Sequence, residues 1–232
     1  MTLKSFLYKF FLGGKVIDKI NSPINGEIKI IEDFFSRKEM VVDGICQSGG
    51  LVERLWKVAL SIVQSSIPKG FSEGGKFKVQ SCLILGLGCG DAARLINEVW
   101  PKAQITGVEV DQKVVEIGKK YFGLGEVLNL EIFVADAIKF VDTKYKIPNT
   151  RYNLILVDLY LGKDYPKEAE SKEFLNGLKN VLNKDGLVII NRLYYTSSFK
   201  KDAESFLKKV KEIFSNVETK KAVTNLLIFA SN

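Results

Sequence analysis

The hydrophobic positions change rhythm about a third of the way along the chain. Residues 27–33 (EIKIIED) alternate for part of their length. Residues 40–43 (MVVD) form a second short apolar run before Gly44, which marks a turn or bulge. Together they predict a small β region over residues 24–47. In residues 51–65, Leu51, Leu55, Ala59, Ile62 and Val63 recur at helical spacing and predict a helix. Residues 69–78 (KGFSEGGKFK) read as a Gly/Lys-rich connector. Beyond it lie short apolar runs at 82–85, 105–110, 130–134, 154–157 and 187–190. These are near-continuous rather than alternating, as in strands buried on both faces of a parallel sheet. Helical patterns separate them. Asp111 is placed to cap a helix carrying Val114, Val115, Gly118 and Tyr121, and residues 199–214 hold Phe199, Phe206, Leu207, Val210, Ile213 and Phe214 on one stripe.

Strands alternating with helices at this spacing predict a Rossmann-like, doubly wound α/β sheet. The chain ends with two segments, 217–220 and 225–230, separated by only four residues. That is too few for a parallel crossover, so an antiparallel pair is expected.

The chain has 232 residues, 46% hydrophobic and 26% charged, which excludes a disordered tail or a disulfide scaffold. The net charge is +7, but the basic residues are scattered. The densest basic segments, 200–211 and Lys220-Lys221, read as a solvated helix face and a turn, without the interleaved aromatics of a nucleic-acid surface. Histidine is absent, which removes imidazole-based triads, relays and metal sites. Cys46, Cys82 and Cys89 form no C-x-x-C pair, so no metal is expected and a reducing, cytoplasmic location is. The apolar run 6–12 is broken by Lys9 and is too short to span a bilayer. It reads as a docking helix or a subunit contact, which leaves room for a homodimer, rather than as a membrane anchor.

The first strand of the α/β region runs into Gly86-Leu87-Gly88-Cys89-Gly90-Asp91, followed by a helix pattern. Ligands of doubly wound sheets sit at the carboxyl ends of the strands, and glycines there let them approach the backbone. The spacing is G-x-G-x-G, and Asp91 stands where a dinucleotide fingerprint has its third glycine. A carboxylate there repels a pyrophosphate and suits a cationic ligand without phosphate, such as S-adenosylmethionine. Glu109, 23 residues after Gly86, ends the second strand, where a carboxylate can accept both ribose hydroxyls. Asp136 follows the third strand, where it either accepts an adenine amino group, with Ala137 and Ile138 flanking the ring, or caps the next helix. Asp158 ends the fourth strand. In the segment 158–170, Asp158, Asp164, Glu168 and Glu170 outnumber two lysines, which favours a cationic acceptor, although the last three also fit a solvated helix start.

The segments LILGLGCGDAARLI, GVEVD, ADAIKF and YNLILVDLY resemble the class I S-adenosylmethionine-dependent methyltransferase core, and in particular the spermidine synthase (polyamine aminopropyltransferase) family. NGEIKIIEDFFSRKEMVVDGICQSGG resembles that family's small N-terminal β-domain. The resemblance implies a mostly parallel seven-stranded sheet with a C-terminal antiparallel strand, preceded by a small β-hairpin region. It divides the chain into residues 1–68 (helix, small β region and connecting helix) and residues 79–232 (nucleoside-binding domain). It implies nucleoside contacts at Gln47, Gly86, Gly88, Gly90, Glu109, Asp136 and Ala137. Asp158 matches the first aspartate of the family's D-x-x-D motif, the general base on the attacking amine. Two motifs depart from the pattern. The second aspartate falls at Leu161, and the aromatic-polar pair that holds a diamine reads Trp56-Lys57. The implied reaction is aminopropyl transfer from decarboxylated S-adenosylmethionine to a small amine. The alternatives are a methyltransferase using intact S-adenosylmethionine and a non-catalytic member of the family.

Overall fold

The computed structural model describes residues 14–65, 77–142 and 151–232. The expected docking segment 6–12 and most of the connector 69–78 lie outside the described residues.

The N-terminal β region starts earlier than the residues 24–47 that the pattern predicts. Four strands, β1 (Lys15–Ser22), β2 (Gly26–Glu32), β3 (Lys38–Val42) and β4 (Ile45–Gly49), form an antiparallel sheet in sequential order. β1 escapes the alternation rule because its register shifts between Val16 and Asp18, a bulge that breaks the period of two. Helix α1 (Gly50–Ser65) leaves β4 directly and buries Leu55, Trp56, Ala59, Leu60 and Val63.

The remainder is an α/β unit of strands β5 (Ser81–Leu85), β6 (Gln104–Glu109), β7 (Leu130–Val134), β8 (Tyr152–Val157), β9 (Leu182–Leu193), β10 (Asn216–Ala222) and β11 (Asn225–Ser231). Its helices are α2 (Asp91–Val99), α3 (Gln112–Tyr121), α4 (Ala137–Val141), α5 (Lys172–Val181) and α6 (Ser197–Ile213). The sheet order is β10-β11-β9-β8-β5-β6-β7. β9, β8, β5, β6 and β7 are parallel, and β11 runs antiparallel to both β9 and β10. The expected C-terminal pair closes through Val223-Thr224, since Ala222 already pairs with Asn225. This is the class I methyltransferase arrangement that the sequence implies.

The continuous apolar runs are explained by cover on both faces. Leu83, Leu85, Ile155 and Val157 pack into one core with α5 and α6, while Cys82, Ile84, Leu154 and Leu156 pack into another with α1 and α2. A third cluster joins the small sheet to α3, with Ile28, Ile30, Met40 and Val42 against Val114, Ile117 and Phe122. Among the described residues no helix is long and apolar enough to cross a membrane.

Candidate functional site

A cavity of about 720 Å³ opens along the carboxyl edge of the parallel strands, roofed by β4 and the start of α1. It sits between β5, whose crossover leads to β6 on one side, and β8, which the chain reaches from β7 on the other, the switch point of a doubly wound sheet. The glycine loop forms its floor. Gly86 has φ +83° and Gly88 has φ +57°, and both line the cavity. A Cβ on Gly86 would overlap the main-chain carbonyl of Asp158, so only glycine lets the loop pass that close to β8. Gly90, expected to touch a ligand, does not line the cavity. Its φ of +93° turns the chain into α2, and a Cβ there would overlap Leu124.

Glu109 is buried and faces the loop. Its Oε2 accepts from the Gly88 amide at 2.9 Å and its Oε1 from the Asp111 amide at 3.1 Å. Burial pushes its carboxyl up, and these amides oppose the shift only in part. Asp136 caps a helix and lies at the cavity wall. Its Oδ1 caps α4 by accepting from the amides of Ile138 (2.8 Å) and Lys139 (3.2 Å), and the residue lines the cavity beside Ala137. Asp111 is a cap, accepting from the Lys113 amide, and it also accepts from Ser22 and Asn25 of the small sheet.

Asp158 follows β8. Its Oδ1 accepts from Asn191 Nδ2 at 2.8 Å and its Oδ2 from Trp56 Nε1 at 3.2 Å. Burial raises its carboxyl above the usual range, with Asn191 and then Trp56 pulling it back. Asn225 Nδ2 donates to Asn191 Oδ1 at 2.7 Å, which fixes the Asn191 amide with its nitrogen toward Asp158. Gln47 donates to the Gly162 carbonyl at 2.8 Å and bridges β4 to the segment after β8.

The structure gives three of the charged residues their partners. Asp91 is not an open charge: its oxygens accept from the Gly49 amide and from Arg94, both at 2.6 Å. Lys57 does not face the cavity, being exposed and paired with Glu53. Glu170 is not solvated alone, because it pairs at 2.7 Å with the buried Arg192. The other side chains that could take a proton are poorly suited. Burial pushes the Tyr160 hydroxyl up to about 12 and the Cys46 thiol up to about 11.

Among the described residues, five carboxylates line the cavity, those of Asp91 (paired with Arg94), Glu109, Asp136, Asp158 and Glu168, against the one cation of Lys139. In a chain of net charge +7 this is a concentrated reversal of sign. The spermine/spermidine synthase domain model matches residues 65–231. The chain belongs to that family.

Relatives fill in the picture. A Prochlorococcus marinus protein named "Polyamine aminopropyltransferase" is 28% identical over 217 residues, 91% of this chain and 72% of its own length. A Bifidobacterium longum protein named "Probable polyamine aminopropyl transferase" is 29% identical over 154 residues, 65% of this chain. The match spans only 33% of that longer relative and 38% of another curated relative. A spermidine synthase solved in complex with the transition-state analogue AdoDATO superposes with a TM-score of 0.71 at 18% identity, over 94% of this chain and 73% of that one. The family fold therefore extends through the small N-terminal sheet, ahead of where the domain model begins.

Sequence reasoning missed Asn191, Asn225 and Ser48, all of which line the cavity. Asn191 carried a usable signal, since it breaks the run 187–190 toward the carboxyl end of a strand, as Glu109 and Asp158 do. Ser48, whose Oγ accepts from the Cys89 amide at 3.0 Å, carried none, because that contact depends on how the two sheets dock.

Proposed function

We propose that this protein binds an S-adenosylmethionine-type nucleoside and transfers an aminopropyl group from decarboxylated S-adenosylmethionine to a small amine. The observation that carries this reading is the cavity's excess of carboxylates beside the glycine loop: among the described residues, four besides the Arg94-paired Asp91 face one lysine. It suits a sulfonium donor and an amine acceptor, and it disfavours a nucleotide phosphate. The names of the relatives and the analogue in the similar solved structure support the same chemistry. Glu109, held by two amides, would accept the ribose hydroxyls. Asp136 and Ala137 would take the adenine edge, while Gln47, Gly86 and Gly88 would close around the nucleoside. Residues 79–232 would form the nucleoside-binding domain, with the described part of the N-terminal region, residues 14–65, covering the site and supplying Gln47. The reading takes the protein as a cytoplasmic enzyme of small molecules, with no metal and neither nucleic acid nor membrane as partner.

In the reaction, the amine nitrogen attacks the carbon next to the sulfonium. The N–C bond forms, the C–S bond breaks, its electron pair returns to sulfur, and methylthioadenosine leaves. The nitrogen must attack as the neutral amine. With an amine pKa near 10.4, deprotonation at pH 7 costs about 4.6 kcal/mol. Asp158 takes that proton as the bond forms. Its raised carboxyl makes it a stronger base than an exposed aspartate, which narrows the gap to the amine.

A methyltransferase using intact S-adenosylmethionine is the second reading, favoured by one contact. Arg94 pairs with Asp91, which removes the charge conflict that Asp91 would otherwise present to the donor's carboxylate. Calorimetric titration with decarboxylated S-adenosylmethionine, S-adenosylmethionine, methylthioadenosine and S-adenosylhomocysteine separates the two. The first and third should bind most tightly. Preference for the second and fourth would transfer the assignment to methyl transfer, and no binding by any would sink both. Asp158→Asn should lower turnover by about 10²–10⁴ with nucleoside affinity retained.

A further inference from the structure

The half of the cavity that lies over β8 and β9 differs in chemistry from the half over β5, β6 and β7. Its walls include Leu159 and Leu161 after β8 and Leu193 and Tyr195 at the end of β9; Leu51 and Leu55 of α1, the helix whose Trp56 reaches Asp158, line the same cavity. Three of these stand exposed: Leu51 at 45%, Leu161 at 41% and Tyr195 at 50%. Single exposed apolar side chains are ordinary, but three on the walls of one cavity make a patch that a ligand can cover.

Charge in this half is sparse. Among the described residues its carboxylates are Asp158 and Glu168. Glu168 is exposed, and an ion pair made there is weak because water competes for both partners. The deep polar groups are already committed. Asn191 gives its nitrogen to Asp158 and its oxygen to Asn225, and the Asn225 oxygen accepts from Thr224. The Tyr160 hydroxyl oxygen accepts from the Leu193 amide. A second ammonium carried along this wall away from Asp158 would meet leucines, and the carboxylate left to it among the described lining residues is the exposed Glu168.

We infer that the acceptor is an amphipathic monoamine: one ammonium group, set at Asp158, on an apolar or aromatic body several carbons long that lies against Leu51, Leu161 and Tyr195. This deepens the transferase reading and rests on it.

The test is calorimetry with n-butylamine, n-hexylamine and n-octylamine, and with 1,8-diaminooctane, each with and without saturating methylthioadenosine. Each methylene placed against the leucines should tighten binding by up to about fourfold. The diamine should bind at least about tenfold more weakly than octylamine. Leu161→Glu, at a site exposed enough for the fold to tolerate a charge, should reverse that order. A flat alkylamine series overturns the inference, as does a diamine that binds as tightly as octylamine. Failure of methylthioadenosine to bind would instead refute the nucleoside reading. The amine series measured without nucleoside then judges the acceptor inference by the same two criteria.

Discussion

Trp56→Phe tests how Asp158 is held. The substitution removes the indole N–H that donates to Asp158 Oδ2 at 3.2 Å and keeps an aromatic ring in the core. A hydrogen bond to a charged group is worth about 1.5–3 kcal/mol, and 3.2 Å is the long end of the N–H···O range, so the lower figure applies. Dividing about 1.5 kcal/mol by 1.36 kcal/mol per unit gives a rise of roughly one unit in the Asp158 pKa. Burial already raises that carboxyl, and Asn191 would be the stronger of the two opposing partners left in place. Carboxyl-carbon NMR of the ligand-free protein should show Asp158 titrating about one unit higher in the variant. The acid limb of the kcat/KM profile should move up by the same amount, because Asp158 must be ionised to accept a proton. A group whose folded pKa is raised stabilises the fold below its unfolded pKa and loses that contribution as pH rises through the folded value. The variant's thermal deficit should therefore be larger at pH 8 than at pH 5, on top of a pH-independent packing loss of about 1 kcal/mol. An unmoved NMR titration in a folded variant would refute the hydrogen-bond argument. A moved titration with an unmoved acid limb would refute Asp158 as the base.

Three further outcomes are expected. Glu109→Ala should weaken methylthioadenosine binding by about 2–4 kcal/mol in calorimetry while leaving a cooperative melt, since two charged hydrogen bonds to the ribose would be lost; unchanged affinity would reduce Glu109 to a loop brace. Gly86→Ala should destabilise by at least about 2 kcal/mol by denaturant melt, because φ +83° disfavours a side chain and the added methyl meets the Asp158 carbonyl; a neutral result would mean that the loop relaxes freely. Burial raises the carboxyls of Asp158, Glu109 and Asp91, so each contributes stability that is lost as pH climbs above the ordinary carboxylate range. The ligand-free melting temperature should accordingly peak on the acid side of neutrality, and S-adenosylmethionine, a sulfonium cation, should raise it more at pH 8 than at pH 5; a ligand shift independent of pH would argue against charge pairing in the cavity.

The large sheet was legible because burial on two faces writes itself into the sequence as unbroken apolar runs, and residues 82–85 and 154–157 needed no tertiary information. Glu109, Asp136 and Asp158 were legible as polar residues interrupting those runs at the cavity end of their strands. What the sequence hid were contacts between parts distant along the chain. Trp56 reads as one more apolar residue of α1, and nothing local reveals that its indole nitrogen meets Asp158, 102 residues away. Asp91 reads as an open charge until Gly49 and Arg94 are seen around it. Gly90 shares the glycine pattern with Gly86 and Gly88, yet it serves a packing contact with Leu124.

The fastening of the small sheet changes what an affinity measurement on this protein means. Ser48 receives the Cys89 amide, Gly49 donates to Asp91, and Ser22 and Asn25 donate to Asp111. The glycine loop thus borrows part of its shape from strands that no ligand need touch. Its binding geometry exists only in the fraction of molecules whose two sheets are engaged, and the apparent dissociation constant is the intrinsic one divided by that fraction. A substitution far out on β1 or β2 can then imitate a damaged pocket, weakening every nucleoside by one common factor while leaving their ranking untouched. Ligand binding, in return, would draw the two sheets together, and a nucleoside bound as proposed would act as a clasp for the protein's own architecture.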